Sequence, residues 1–373
     1  MIQFYYSLFL LALSALTLLV SCQESKKNKT VIIQITNEKT ALLNDSICRI
    51  SEVGNAINVG ADSTILYSDK IYLMVDSTVK TIISSSGEAP GKFIVCSAPC
   101  VHKDTLFILD AIGGKILAFN LRTTEFLANY KSPYLRDFET LYRYNGTFYG
   151  VKDYLKLALE KKLTPETPLI SSILVLGDSL IIKDLPFKAK DAHLSLVERL
   201  PAGNPFKMVM ADNSKPHIFY FNLGFSKSVW QYNAQSGMFQ MIDIVLDQPN
   251  DYKIRSVASK ITENFEIIEQ DARGEIKNLI MSMEVPMSGS IFGDTLMIVS
   301  KYFAKYDYII RMYSISQNKL LAEGYMSMPS TALSIEAVHI LDKQHIRLLE
   351  VSKEANAQYP YTIVTKRIAL SKL

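Results

Sequence analysis

Tryptophan, histidine and cysteine are scarce in this 373-residue sequence, which holds one Trp, five His and four Cys. The histidines are His102, His193, His217, His339 and His345, and none falls in an HxH or HExxH spacing. The sequence therefore carries no local motif for a metal centre or a zinc protease. Four cysteines are too few for the dense disulfide framework of a small secreted scaffold. Charge of one sign is also lacking, with 40 Lys and Arg set against 37 Asp and Glu and a formal net charge of +3. Without a concentrated basic face or a long run of like charge, the sequence argues against a nucleic-acid partner.

What stands out first is the N terminus. Leu8 to Val20 is apolar apart from Ser14 and Thr17, the length of a secretory h-region and short of the roughly 20 residues that span a bilayer. The run ends in Leu19-Val20-Ser21-Cys22, followed by the polar, lysine-rich Gln23-Glu24-Ser25-Lys26-Lys27-Asn28-Lys29. Those four residues resemble the lipobox of bacterial lipoproteins. The resemblance implies a diacylglyceryl thioether on Cys22, cleavage before it and acylation of the new amine, a palmitate-type anchor of two or three chains. Met1 to Phe4 lacks the usual Lys or Arg. An uncleaved membrane helix flanked by Lys26, Lys27 and Lys29 would instead leave the chain cytoplasmic, but it gives Cys22 no purpose. The expected organisation is a signal peptide over 1–21, a flexible tether over 22–40 and one folded domain over 41–373. Gln23 is not an Asp-type inner-membrane retention signal, so the outer membrane is favoured.

With Cys22 assigned to lipid, Cys48, Cys96 and Cys100 remain. Cys96 and Cys100, in Cys-Ser-Ala-Pro-Cys, are a candidate disulfide only if the segment turns at Pro99. Four extended residues span about 13 Å, whereas disulfide Cα atoms lie within about 7 Å. An extended segment leaves them as buried free thiols, and no further ligand lies nearby to complete a metal site.

Tyr and Phe are abundant, at 20 and 17, and short runs rich in Ile, Val and Thr favour strands. Lys152 to Leu163 and Lys188 to Leu200 are the two stretches with helical character, neither with a clean 3.6-residue stripe. An Asp-(Ser/Thr)-apolar phrase recurs at Asp62, Asp104, Asp178 and Asp294, each reading as a tight turn followed by a strand. Taken as multiples of about 40 residues, these spacings suit propeller blades. The expectation is an all-β chain folded as a β-propeller of six four-stranded antiparallel blades; a non-repeating pair of β-sandwiches is the alternative.

Ser84-Ser85-Ser86-Gly87-Glu88-Ala89-Pro90-Gly91-Lys92-Phe93, followed by the Asp104 to Asp110 strand and by Lys115-Ile116-Leu117-Ala118-Phe119, resembles the six-bladed β-propeller lipoproteins of Bacteroidetes. That family is similar in architecture to NHL-like and TolB-like propellers. Gly87, Pro90, Gly91 and Phe93 match its turn motif; Ala89 and Lys92 depart from it. The resemblance implies a turn between blades at Pro90-Gly91, with Phe93 plugging the seam. It supplies no catalytic residue and no cofactor.

Two enzyme readings compete. Gly177-Asp178-Ser179-Leu180 with Asp342 and His345 spells the elements of a GDSL-like serine hydrolase, Ser179 attacking and His345 taking its proton. The surroundings are strands, and no oxyanion-hole block accompanies them. Some six-bladed propellers are calcium-dependent hydrolases whose ligands come from several blades and leave no local motif. The reading adopted is a non-catalytic binding or scaffolding module, lipid-anchored in the envelope, with a protein, peptide or glycan ligand. Trp230 and the tyrosines from Tyr302 to Tyr313 are candidates for its binding face.

Overall fold

Short β-branched and aromatic runs between polar turns make strand the dominant element among the described residues. The computed structural model describes residues 31–42, 55–58, 63–67, 70–75, 78–84, 89–177, 179–192, 208–211, 214–223, 228–244, 256, 274–275, 278–279, 282–302, 307–327, 332–353 and 361–372. Cys22, Cys48, Gly87, Asp62, Asp178 and His193 lie outside them.

The first strand, β1 (Val31–Leu42), precedes four four-stranded antiparallel sheets. The first sheet holds β2 (Asn55–Asn58), β3 (Ser63–Tyr67), β4 (Lys70–Val75) and β5 (Thr78–Ser84). The second holds β6 (Ala98–His102), β7 (Thr105–Asp110), β8 (Lys115–Asn120) and β9 (Phe126–Lys131). The third holds β10 (Phe138–Tyr144), β11 (Thr147–Lys152), β12 (Ile170–Leu176) and β13 (Ser179–Asp184), and the fourth β14 (Met208–Ala211), β15 (Ile218–Asn222), β16 (Ser228–Asn233) and β17 (Met238–Asp243).

The remaining strands are β18 (Glu284–Phe292), β19 (Thr295–Tyr302), β20 (Asp307–Ser314), β21 (Lys319–Ser327), β22 (Ala332–Ile340), β23 (His345–Lys353) and β24 (Tyr361–Lys372). With β1 they form an eight-stranded sheet in the order β18-β19-β20-β21-β1-β24-β23-β22. Its two halves are antiparallel internally and meet at only two parallel pairs, Val31 with Ala322 and Ile32 with Glu323. The first strands of successive groups lie side by side, β6 by β10, β10 by β14, β14 by β18, β18 by β22 and β22 by β2. This is a propeller arrangement, with the first strand of each sheet innermost.

Side-chain alternation along each strand explains why the sheets face one another. In β7, Leu106 and Ile108 join Ile65, Ile71 and Phe93 on the side of the first sheet, while Phe107 and Leu109 join Leu141, Phe148 and Ile173 on the side of the third. Middle strands buried on both faces read as unbroken apolar runs such as Thr-Leu-Phe-Ile-Leu-Asp, whereas the outermost β13 is largely exposed. Between the last and first sheets, the buried Arg347 donates to Thr64 Oγ1 over 3.1 Å.

Several expectations need correction. The tether does not reach residue 40, because Val31-Ile32-Ile33-Gln34-Ile35-Thr36 is β-branched and pairs with β24 from Ile33 to Leu42. Asp104 and Asp294 do mark turns between the first and second strands of their groups, His102 facing Thr105 and Phe292 facing Thr295. At the third marker, whose Asp178 lies outside the described residues, the flanking strands are the third and fourth of their sheet, Leu176 of β12 facing Ser179 of β13. In that sheet the first turn is Asn145-Gly146, both residues with positive φ, as a two-residue hairpin requires. Only Tyr154–Leu159 of the first helical stretch is helix, and Lys188 sits in a bridge to Pro168.

Of the turn motif, Pro90, Gly91 and Phe93 lie among the described residues. Lys92 N–H donates to Ala89 O over 2.9 Å and Gly91 has φ +75°, a turn with Pro and Gly at its two centres. Phe93 is fully buried between the first two sheets. Asp110, also fully buried, accepts from Ile94 N–H and Gly113 N–H, each over 2.9 Å, and lies 3.7 Å from Lys115 Nζ. Its carboxylate thus ties the end of β7 to the residue after Phe93. Asp110→Asn is expected to cost about 2 kcal/mol in urea unfolding, because a charged acceptor is replaced by an amide beside a buried ammonium.

Candidate functional site

The turns between first and second strands, together with those between third and fourth, gather at one end of the propeller. At this turn end, β10 offers the densest chemistry. Tyr142 and Tyr144 point toward the fourth sheet, and Leu141 and Arg143 toward the second, as the strand's two-residue period dictates.

On the fourth-sheet side the aromatics are continuous. Tyr142 lies 5.0 Å from Phe219 between ring centroids, Tyr149 lies 5.3 Å from Phe219 and 5.7 Å from Tyr232, and Tyr232 lies 4.5 Å from Phe239. Deeper in, Phe187 packs on Trp230 at 4.9 Å and on Phe221 at 5.3 Å. At the mouth, Tyr142 Oη donates to Pro216 O over 2.7 Å. Tyr144 accepts from Gln235 Nε2 over 3.3 Å and lies 6.3 Å from the His217 ring. Burial, with the nearby Cys100 and Tyr144, pushes the Tyr142 hydroxyl up to about 12, and burial raises Tyr149 and Tyr232 as well. At neutral pH all three stay protonated donors. The arrangement offers hydroxyl, amide and aromatic faces at one mouth, suited to recognition.

On the second-sheet side, the Arg143 guanidinium carbon lies 4.1 Å from the Phe107 centroid and 4.9 Å from that of Phe148. His102, at the end of β6, is held below its ordinary pKa by burial and by the charges of Arg143 and Lys103.

The other sequence-derived candidates sit elsewhere. Cys96 and Cys100 are buried free thiols. Pro99 lies within β6 and makes no turn; Cys96, before that strand, packs with residues of the first sheet and Cys100 with residues of the third. The disulfide alternative gives way to this geometry, and burial raises both thiols, Cys100 to about 12. Trp230, Tyr308 and Tyr313 are core residues rather than lining for a face. Ser179 opens the outermost strand of the third sheet, while His345 Nδ1 lies 2.9 Å from the Asp342 carboxylate across a hairpin of the eight-stranded sheet. Asp342 and His345 are neighbours because a four-residue turn makes them so, which is a local reason and not a catalytic one. Among the described residues, no three His, Cys, Asp or Glu side chains converge as a metal ion would need.

The mouth residues Tyr142, Tyr144, His217 and Gln235, and Arg143 on the other side of β10, come from turns far apart in the chain, so no motif marks them. The one available hint is the alternation Leu141-Tyr142-Arg143-Tyr144 running into Asn145-Gly146, an unusually polar ending for an inner strand.

Solved structures similar to this chain include two from Bacteroides. One is a member of the DUF4221 family from Bacteroides vulgatus ATCC 8482, with a TM-score of 0.59 and 10% identity, covering 92% of this chain and 100% of that chain. The other is a protein described as exported, from Bacteroides fragilis NCTC 9343, with a TM-score of 0.57 and 10% identity, covering 93% of this chain and 97% of that chain. The chain shares their fold. At 10% identity the likeness extends to architecture and to nothing chemical. No family profile and no curated protein sequence matches the chain.

Proposed function

We propose that this chain is an exported, lipid-anchored, six-bladed propeller of the TolB-like and NHL-like kind, acting as a binding module in the cell envelope. The eight-stranded sheet is read as two blades, β18–β21 and β22–β24 with β1 outermost, so that the N-terminal strand closes the ring. The fold shared with a protein described as exported supports passage out of the cytoplasm, and the lipobox-like residues ending at Cys22 support the anchor.

The observation that carries the binding role is the mouth at the turn end, where Tyr142, Tyr144, His217 and Gln235 from two adjacent sheets meet above a continuous aromatic stack. The same end receives the tether. Ile33 pairs with Lys372 and Ala369 with His345, so β1 enters beside the turn that precedes β23. The nine residues from Cys22 to Thr30 reach at most about 30 Å. On this reading the mouth shares its end of the propeller with the anchor, and its ligand, a protein, peptide or glycan, is met close to the membrane.

A photo-crosslinking amino acid at Gln235, expressed in the native envelope, is expected to capture a discrete partner. The same residue at Leu127, on an outer strand, is expected to capture none. Equal labelling from both positions, or none from Gln235, would argue against the mouth as the binding face.

A further inference from the structure

Among the described residues, Arg143 has no counter-ion. It stands opposite Phe148 in the β10–β11 hairpin, one residue from the strand's end. Its guanidinium lies against Phe107 and Phe148, themselves edge to face at 5.0 Å. Such contacts hold the cation over aromatic faces and supply no hydrogen-bond acceptor for its N–H groups. Among the described residues no oxygen accepts from them, and the buried Nε has no hydrogen-bond partner. The neighbouring sulfur is no substitute, since burial keeps the Cys100 thiol protonated at neutral pH.

A guanidinium held in this way ordinarily meets an oxyanion, because an unsatisfied charged donor is costly to bury. The neighbourhood is electropositive. His102, on the adjacent inner strand, feels the charges of Arg143 and Lys103. Lys103 occupies the next turn with φ 55°, and the acid of that turn, Asp104, is engaged by Arg122 at 3.3 Å.

We propose that Arg143 and His102 form an oxyanion site at the turn end, taking a carboxylate or phosphate of the ligand on the planar N–H edge of Arg143, with His102 as a further donor. The site rests on the binding reading above and lies across β10 from the Tyr142 and Tyr144 mouth. It thus adds a charged determinant to a neutral, aromatic one.

The test is calorimetric titration of the purified full-length chain in detergent, at constant ionic strength. Three probes are used: the acid acetyl-Ala-Ala, the same dipeptide as its amide, and inorganic phosphate. Saturable binding of the acid or of phosphate, but not of the amide, is expected, and whichever binds more tightly identifies the source. Arg143→Gln is expected to weaken it at least about tenfold, the order of one charge-assisted pair. Arg122→Gln, which removes an arginine already paired nearby, leaves it unchanged. If Arg143→Gln loses its native near-ultraviolet circular dichroism, Arg143→Lys and His102→Gln decide the matter, each expected to weaken binding several-fold. Amide binding equal to the acid, non-saturable heats with both anions, or undiminished affinity in the Arg143 and His102 variants would overturn the proposal. Partner capture from Gln235 with no anion binding would refute this site and leave the binding face standing.

Discussion

Arg311→Gln is expected to destabilise the protein by about 3–5 kcal/mol, the range for removing one partner of a buried ion pair. Arg311 lies in β20 with a side chain 6% exposed, and its Nη1 donates to Glu284, whose side chain is fully buried. Its Nε donates to Glu323 over 2.5 Å, and Ser300 Oγ also donates to Glu284. Burial works against the charge, but Glu284 and Glu323 together hold the guanidinium well above its usual pKa. Removing Arg311 takes the counter-charge from a carboxylate that water does not reach. Urea unfolding should show a much lower midpoint, and the paired replacement Arg311→Leu with Glu284→Leu should recover most of the loss.

The exposed cluster at Glu166 supplies the contrast. Lys188 and Lys190 reach its carboxylate at 2.6 and 2.5 Å, and their hydrogen bonds hold its pKa at about 2. Solvent screens all three groups, so Glu166→Gln should leave stability unchanged within error despite the close contacts. Whatever the pair adds is present above the ordinary carboxylate range and disappears as pH falls toward 2. If Arg311→Gln behaved like Glu166→Gln, the buried network would be carrying no part of the fold.

The two networks also show what could be read from the chain. Strands and turns were legible because their rules are local: Pro90-Gly91 with Phe93 folds as its composition demands, and the turns at Asp104 and Asp294 fall where the Asp marker places them. Asp178 lies outside the described residues, but the strands on either side of it pair as a hairpin, Leu176 facing Ser179. The tether was drawn too long because its rule is not local. The value of Val31 to Leu42 as a strand lies in β24, some 330 residues away in sequence, and no local signal reports such a partner. Arg143, Glu284 and Arg311 were invisible on the same grounds, since their roles are set by neighbours on other strands.

The membrane anchor is the claim on which the orientation of the mouth, and so the identity of its surroundings, depends. Acylation at Cys22 should be near complete in the native envelope, because two or three chains hold a protein where one would not. The direct measurement is fractionation of cells labelled with an alkyne palmitate analogue, comparing the natural chain with Cys22→Ala. The natural chain should carry the label and pellet with membranes, while Cys22→Ala should lose the label and move to the soluble fraction. An unlabelled natural chain, or a Cys22→Ala protein that still pellets with membranes, would contradict the lipid-anchored propeller proposed for this sequence.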